Sequence, residues 1–260
     1  MLKMTFEENV EEFINTLQGF TKMDNVFNPW QDYDESHDFD ESSPQKRCCN
    51  LGKYLKAREN AKYILIAEAP GYQGCHFSGI PMTSERLILD DKNNTYGLKG
   101  LKRTSDYHEQ NNKLAKAKIY TTRYKEGKNI AKTVIKNGFT EPTATIVWKQ
   151  MVDVLRVSPT NFVLWNAFPF HPYNENKILS NRKPSLDEIS KTFEIIENFV
   201  KLFPNAYYIS VGEVSKETIQ EIKTKQPKIK YKEDVQHSVV HPSYGNANKF
   251  REQIKKIIKH

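Results

Sequence analysis

The chain has 260 residues, a net charge of +7 and a sequence pI of about 9.0. Hydrophobic residues make up 38% and charged residues 27%, enough to bury a core but polar for a globular protein. No apolar run approaches the roughly 20 residues that cross a bilayer. Met1 to Gln18 carries acids and no signal-peptide core, so a cytoplasmic protein with no membrane partner is expected.

The three cysteines, Cys48, Cys49 and Cys75, argue against a disulfide scaffold. Phe6, Val10, Phe13 and Leu17 have helical spacing. The segment 28–44 follows, with the acids Asp32, Asp34, Glu35, Asp38, Asp40 and Glu41; it lacks the spacing and glycine of a calcium loop and reads as a solvated loop. A short helix over 51–59 then leads into the first core strand. Together, residues 1–61 form an N-terminal helical and acidic extension.

The continuous apolar run Tyr63-Ile64-Leu65-Ile66-Ala67 is the pattern of a strand buried on both faces. It breaks at Glu68-Ala69-Pro70-Gly71-Tyr72 into a glycine-rich loop, and Ser84-Glu85 fits a helix start. From 86 to 142 the periodicity weakens. Between Asn111 and Lys136 stand eight basic residues, including Lys116, Lys118, Arg123 and Lys125, against one acid, Glu126. Tyr120 and Tyr124 are interleaved with them. Lysine and arginine pair with phosphates and tyrosine rings stack on bases, so this basic insertion is expected to face nucleic acid.

A helix over 143–156 is expected to turn Val147, Met151 and Val154 inward. Phe162 to Phe168 is the second buried strand. Ser185-Leu186-Asp187-Glu188 fits a capping box and opens a stripe of Ile189, Phe193, Ile196, Val200 and Phe203. A strand over 207–212, a helix over 213–223, a strand ending at His241 and a closing helix marked by Phe250, Ile254 and Ile257 complete the chain. Strands alternate with helices, so a doubly wound α/β fold with a mostly parallel sheet is expected, in one domain over 1–260.

Three of these strands end in a polar residue followed by proline: Glu68, Asn166 and His241. In open parallel sheets the ligand crevice lies outside the carboxyl ends of the strands. One sheet edge would therefore collect a carboxylate, an amide and an imidazole.

This ordered set resembles the uracil-DNA glycosylase superfamily, over roughly residues 62–258. The first motif, Ala67-Glu68-Ala69-Pro70-Gly71, and the later Gly79-Ile80-Pro81-Met82 are closest to its bacterial and archaeal iron-sulfur branch. The resemblance implies a three-layer α/β/α fold with a four-stranded parallel core. That branch uses four spaced cysteines; this chain has three, two of them adjacent, so no cluster, metal or other cofactor is expected. The branch's stacking phenylalanine aligns with Met82; Phe77 or Tyr72 can supply a ring instead. The best-known branch activates water with an aspartate in its first motif, and Ala69 leaves that base absent here.

Cleaving an N-glycosidic bond in DNA requires a flipped base, a donor for the charge that develops on it, and support for a cationic sugar. His241 is the candidate donor, Asn166 the reader of the base edge, and Glu68 the group that positions water or stabilises the sugar. Ala69, Pro70, Gly71, Tyr72, Phe77 and Met82 are the expected pocket. Ser84 and Ser243 are candidate phosphate contacts, and Tyr244 the candidate wedge into the duplex. The expected partner is DNA, as a duplex with a flipped base or a single strand, and the protein is expected to be a monomer. Three functions fit: excision of uracil or another aberrant base, excision of bulky hypermodified phage cytosines in defence, or a catalytically silent DNA-binding module. A nucleotide-binding oxidoreductase is disfavoured because no Gly-x-Gly-x-x-Gly follows the first strand.

Overall fold

The computed structural model describes residues 4–38, 40–91, 93–99, 101, 134, 137–225 and 238–258. In chain order the elements are α1 (Phe6–Gln18), β1 (Val26–Phe27), α2 (Ser43–Lys56), β2 (Tyr63–Ala67), α3 (Cys75–Ser78), α4 (Glu85–Asp90), α5 (Pro142–Trp148), β3 (Phe162–Asn166), β4 (His171–Pro172), α6 (Leu186–Lys191), α7 (Phe193–Leu202), β5 (Tyr207–Val211), α8 (Glu213–Lys225), β6 (Ser238–Val239) and α9 (Ala247–Ile258). The main sheet is parallel throughout, in the order β3-β2-β5-β6. The short antiparallel pair β1-β4 stands beside it.

The continuous apolar runs have a direct cause. Ile64, Leu65 and Ile66 in β2, and Phe162 to Trp165 in β3, are all fully buried, which requires helices on both faces of the sheet. On one face Phe13 of α1 packs against Trp165 of β3 and Phe199 of α7, with ring centroids at 5.4 and 5.8 Å. Trp165 stacks on Phe199 at 4.4 Å. β3 is an edge strand, so its outward amides need partners; the Leu164 amide donates to the Tyr54 hydroxyl at 2.8 Å. The described elements thus form the expected α/β arrangement, a four-stranded parallel sheet packed between helices.

Three expectations need correction. The acidic segment after α1 is not a solvated loop. Asp34 and Asp38 are buried, and Asp38 forms a two-pronged ion pair with the fully buried Arg47, at 2.6 and 3.0 Å. Burial of a guanidinium demands such a partner, and sequence spacing did not reveal that α2 would supply the guanidinium. Gly79 has φ +72°, and a Cβ there would lie 2.6 Å from that of Arg47, so glycine is required. The helix at 142 passes into a π-helical turn over Lys149–Val154. The wider turn changes the phase and leaves Val154 61% exposed instead of buried. The stripe from Ile189 to Phe203 is two helices, broken at Thr192, whose hydroxyl donates back to the Glu188 and Ile189 carbonyls.

Candidate functional site

Glu68, Asn166 and His241 all stand at the carboxyl edge of the sheet. Ala67 and Asn166 are register partners on adjacent strands. Parallel register continues from β2 to β5 and from β5 to β6, so the His241 loop leaves the same edge. Gly212, at the end of β5, has φ +96°, and a Cβ there would be 3.5 Å from that of His241. The base of the His241 side chain therefore sits against the end of β5. β2 lies between β5 and β3, so these are two strand spacings, about 10 Å, apart.

Each of the three side chains is unspent. Asn166 is 1% exposed, and neither its Nδ2 nor its Oδ1 has a hydrogen-bond partner among the described residues. A buried amide left unpaired at both ends costs roughly 1–3 kcal/mol per group, which a ligand with a complementary edge would recover. Glu68 is half-buried, and its carboxylate makes no ion pair or hydrogen bond among the described residues. The His241 Nδ1 accepts from the Ser243 amide at 3.3 Å and lies 2.7 Å from the Ser243 hydroxyl. That bonding assigns the ring proton to Nε2, and burial lowers the pKa of the ring, favouring the neutral form. The edge thus offers a neutral N–H donor, a two-sided amide and a carboxylate.

The first-motif loop is built from aromatic rings and glycines. Phe77 is buried and stacks on Phe139 at 5.3 Å and 4°, while Tyr72 meets the edge of the same ring at 5.5 Å. Pro70 is buried, with Ala69 and Gly71 half-buried beside it. Met82 is 3% exposed with φ +47°, uncommon for a residue with a side chain. The Trp148 indole fixes this turn by donating to the Met82 carbonyl at 3.2 Å and the Thr83 hydroxyl at 3.1 Å. Ser84, a candidate phosphate contact, is buried and caps α4 by accepting from the Leu87 amide. Tyr244 is fully exposed, at φ +52°, beside Gly245 at φ +82°. The four basic residues Lys116, Lys118, Arg123 and Lys125 lie outside the described residues.

Several contributors were not legible in the sequence. The space beside Gly74 is occupied: a Cβ there would lie 2.1 Å from Oε2 of Glu141. That oxygen is sealed from solvent without a partner, and burial pushes the carboxyl up to about 7. Behind the loop, Asp34, His76 and His171 form a buried chain. Burial would raise the Asp34 pKa, but the hydrogen bond from His37 at 2.7 Å, with the His76 ring beside it, holds it well below the usual carboxylate range. His171 Nε2 donates to the Ser180 carbonyl at 2.8 Å, and burial pushes its pKa down to about 3. Its Nδ1 must then accept from His76 Nδ1, 2.9 Å away. His76 Nε2 meets Asp34 Oδ2 at 3.3 Å, a contact that becomes a hydrogen bond only when the ring carries a second proton. The one sequence clue was His76 itself, inside the first-motif loop.

Among the described residues no group of three or more His, Cys, Asp or Glu side chains is arranged to hold a metal ion. Cys48 donates to the Trp30 carbonyl at 3.3 Å and is pushed up to about 12 by burial. A cavity of about 190 Å³ lined by Glu59, Lys62, Pro204 and Tyr207 opens at the amino ends of β2 and β5, the edge opposite the three polar residues.

No family model and no curated protein sequence matches the chain. Among solved structures it is similar to SMUG2 from Pedobacter heparinus, with a TM-score of 0.56 and 14% identity, covering 99% of this chain and 97% of that one. At that identity the likeness shows the fold alone, over nearly the full length of both chains.

Proposed function

We propose that the protein is a DNA glycosylase that takes uracil, or an aberrant base of similar size, out of DNA and hydrolyses its N-glycosidic bond. The observation that carries this is Asn166. A two-sided amide, buried and unpaired at a strand end, is what a site needs to read the donor and acceptor edge of a nucleobase. Around it, His241 directs Nε2–H toward the base carbonyl that gathers negative charge. Glu68 supports the cationic sugar or positions the water. The C1′–N bond breaks with its electron pair leaving on the base, the water oxygen adds to C1′, and the water proton ends on the departing base. Tyr244 fills the gap left by the flipped nucleotide. Lys116, Lys118, Arg123 and Lys125 contact phosphates, and the protein works as a monomer in the cytoplasm. The shared fold with SMUG2 supports the enzyme class.

The alternative substrate, a bulky hypermodified cytosine met in phage defence, loses the room at Gly74, which Glu141 occupies. The test is incubation with single- and double-stranded DNA carrying uracil, damaged bases or glucosylated hydroxymethylcytosine, followed by alkaline strand scission. Scission at uracil, absent in Asn166→Leu, is expected. Scission only at the bulky base would replace uracil by that substrate. DNA binding without scission of any strand would make the protein a silent binding module.

A further inference from the structure

The first-motif loop is gripped by a distant stretch of the chain, His171 to Arg182. At its front, the Tyr72 amide donates to Oδ1 of Asn181 at 3.0 Å, across 109 positions of sequence. The Asn181 amide group lies flat against Gly71: a Cβ there would be 3.3, 3.5 and 3.7 Å from its Nδ2, Oδ1 and Cγ. At the rear, His171 bonds to His76 at the start of α3. Front and rear belong to one tied segment. His171 donates to the Ser180 carbonyl, immediately before Asn181. The Ser180 hydroxyl donates to the Lys177 carbonyl at 2.6 Å and accepts from the Asn174 amide at 2.9 Å. On the other side the Arg182 amide donates to the Pro172 carbonyl at 3.2 Å, and its guanidinium pairs with Glu188.

We propose that Asn181 is a positioning residue for base release: by accepting from the Tyr72 amide it fixes the loop that carries Glu68 and the Tyr72 ring. This rests on the glycosylase reading above. The loop has glycines at 71 and 74, so without an outside partner its backbone has many conformations. A side chain tied elsewhere removes that freedom before substrate arrives, and misplacing a catalytic group by about 1 Å costs up to roughly 10²-fold in rate. Asn181 is itself exposed, so it contributes little to the core.

The test uses the full chain with Asn181→Ala and Asn181→Asp. The aspartate keeps an acceptor for the Tyr72 amide; the alanine does not. Single-turnover base release at saturating enzyme is expected to fall about 10- to 100-fold in Asn181→Ala, with DNA affinity and thermal unfolding unchanged. Asn181→Asp is expected to recover most of the rate. Hydrogen exchange at the Tyr72 amide reads the same bond without any chemistry; it should accelerate in Asn181→Ala and return to normal in Asn181→Asp. An unchanged rate in Asn181→Ala, or an aspartate variant as slow as the alanine one, overturns the assignment. If the wild type releases no base from any substrate, the glycosylase reading fails, and unchanged exchange at Tyr72 would show that the grip fails as well.

Discussion

The Ser243 amide and hydroxyl both face Nδ1 of His241, at 3.3 and 2.7 Å, and so determine which ring nitrogen carries the proton. A histidine with Nδ1 occupied in this way presents Nε2–H outward as a neutral donor. His241→Ala is expected to slow base release by about 2–4 kcal/mol of transition-state stabilisation, the range seen when one oxyanion donor is lost, while DNA binding stays near wild type. Burial lowers the His241 pKa, so the rate should hold through the ordinary histidine range near 6.5 and decline only below it. A rate that halves near pH 6.5 would mean the ring titrates as if exposed.

Asn166 should show a trade between stability and activity. Leucine has nearly the same shape and nothing to leave unpaired. Asn166→Leu is expected to abolish base release and to raise unfolding stability by about 1–3 kcal/mol, read from urea denaturation. A destabilised Asn166→Leu protein would mean the amide already has partners in the folded state.

Tyr244 is expected to matter for duplex DNA only. Its side chain is fully exposed, so Tyr244→Ala should leave thermal unfolding within about 0.5 kcal/mol of wild type. Release from duplex DNA should drop by about 10-fold, since flipping a paired base costs a few kcal/mol. Release from single strands should persist. Equal losses on both substrates would assign Tyr244 to the pocket instead of the duplex.

Glu141 gives a pH-dependent stability with a defined sign. Its folded pKa of about 7 lies above the ordinary 4.5, so the folded state holds a proton that the unfolded state gives up. Stability from this group is full below about pH 4.5, falls as pH rises toward 7 and stays low above it; the total is about 3 kcal/mol. Glu141→Gln cannot ionise and should remove that decline, so the variant is more stable than wild type at pH 8. The readout is the midpoint of chemical denaturation from pH 4 to 8; parallel curves for the two proteins would show that Glu141 is solvated.

The alternation of apolar runs with helical stripes was enough to specify the sheet, because strands buried on both faces have no choice but continuous apolar sequence. The ends of those runs carried Glu68, Asn166 and His241, and a parallel sheet necessarily gathers its carboxyl ends on one edge. Local caps were equally legible: the Ser185 capping box is present, since it is closed within four residues. What sequence could not supply depends on contacts between distant segments. Asp34 and Asp38 look solvated until the histidines and Arg47 arrive to pair with them. Gly74 looks like empty space until Glu141 fills it, and Asn181 looks like a surface residue until the Tyr72 amide, 109 positions away, is found on it. Periodicity records which face of an element is buried; it holds no record of which partner meets that face, and burial, proton placement and loop position all follow from the partner.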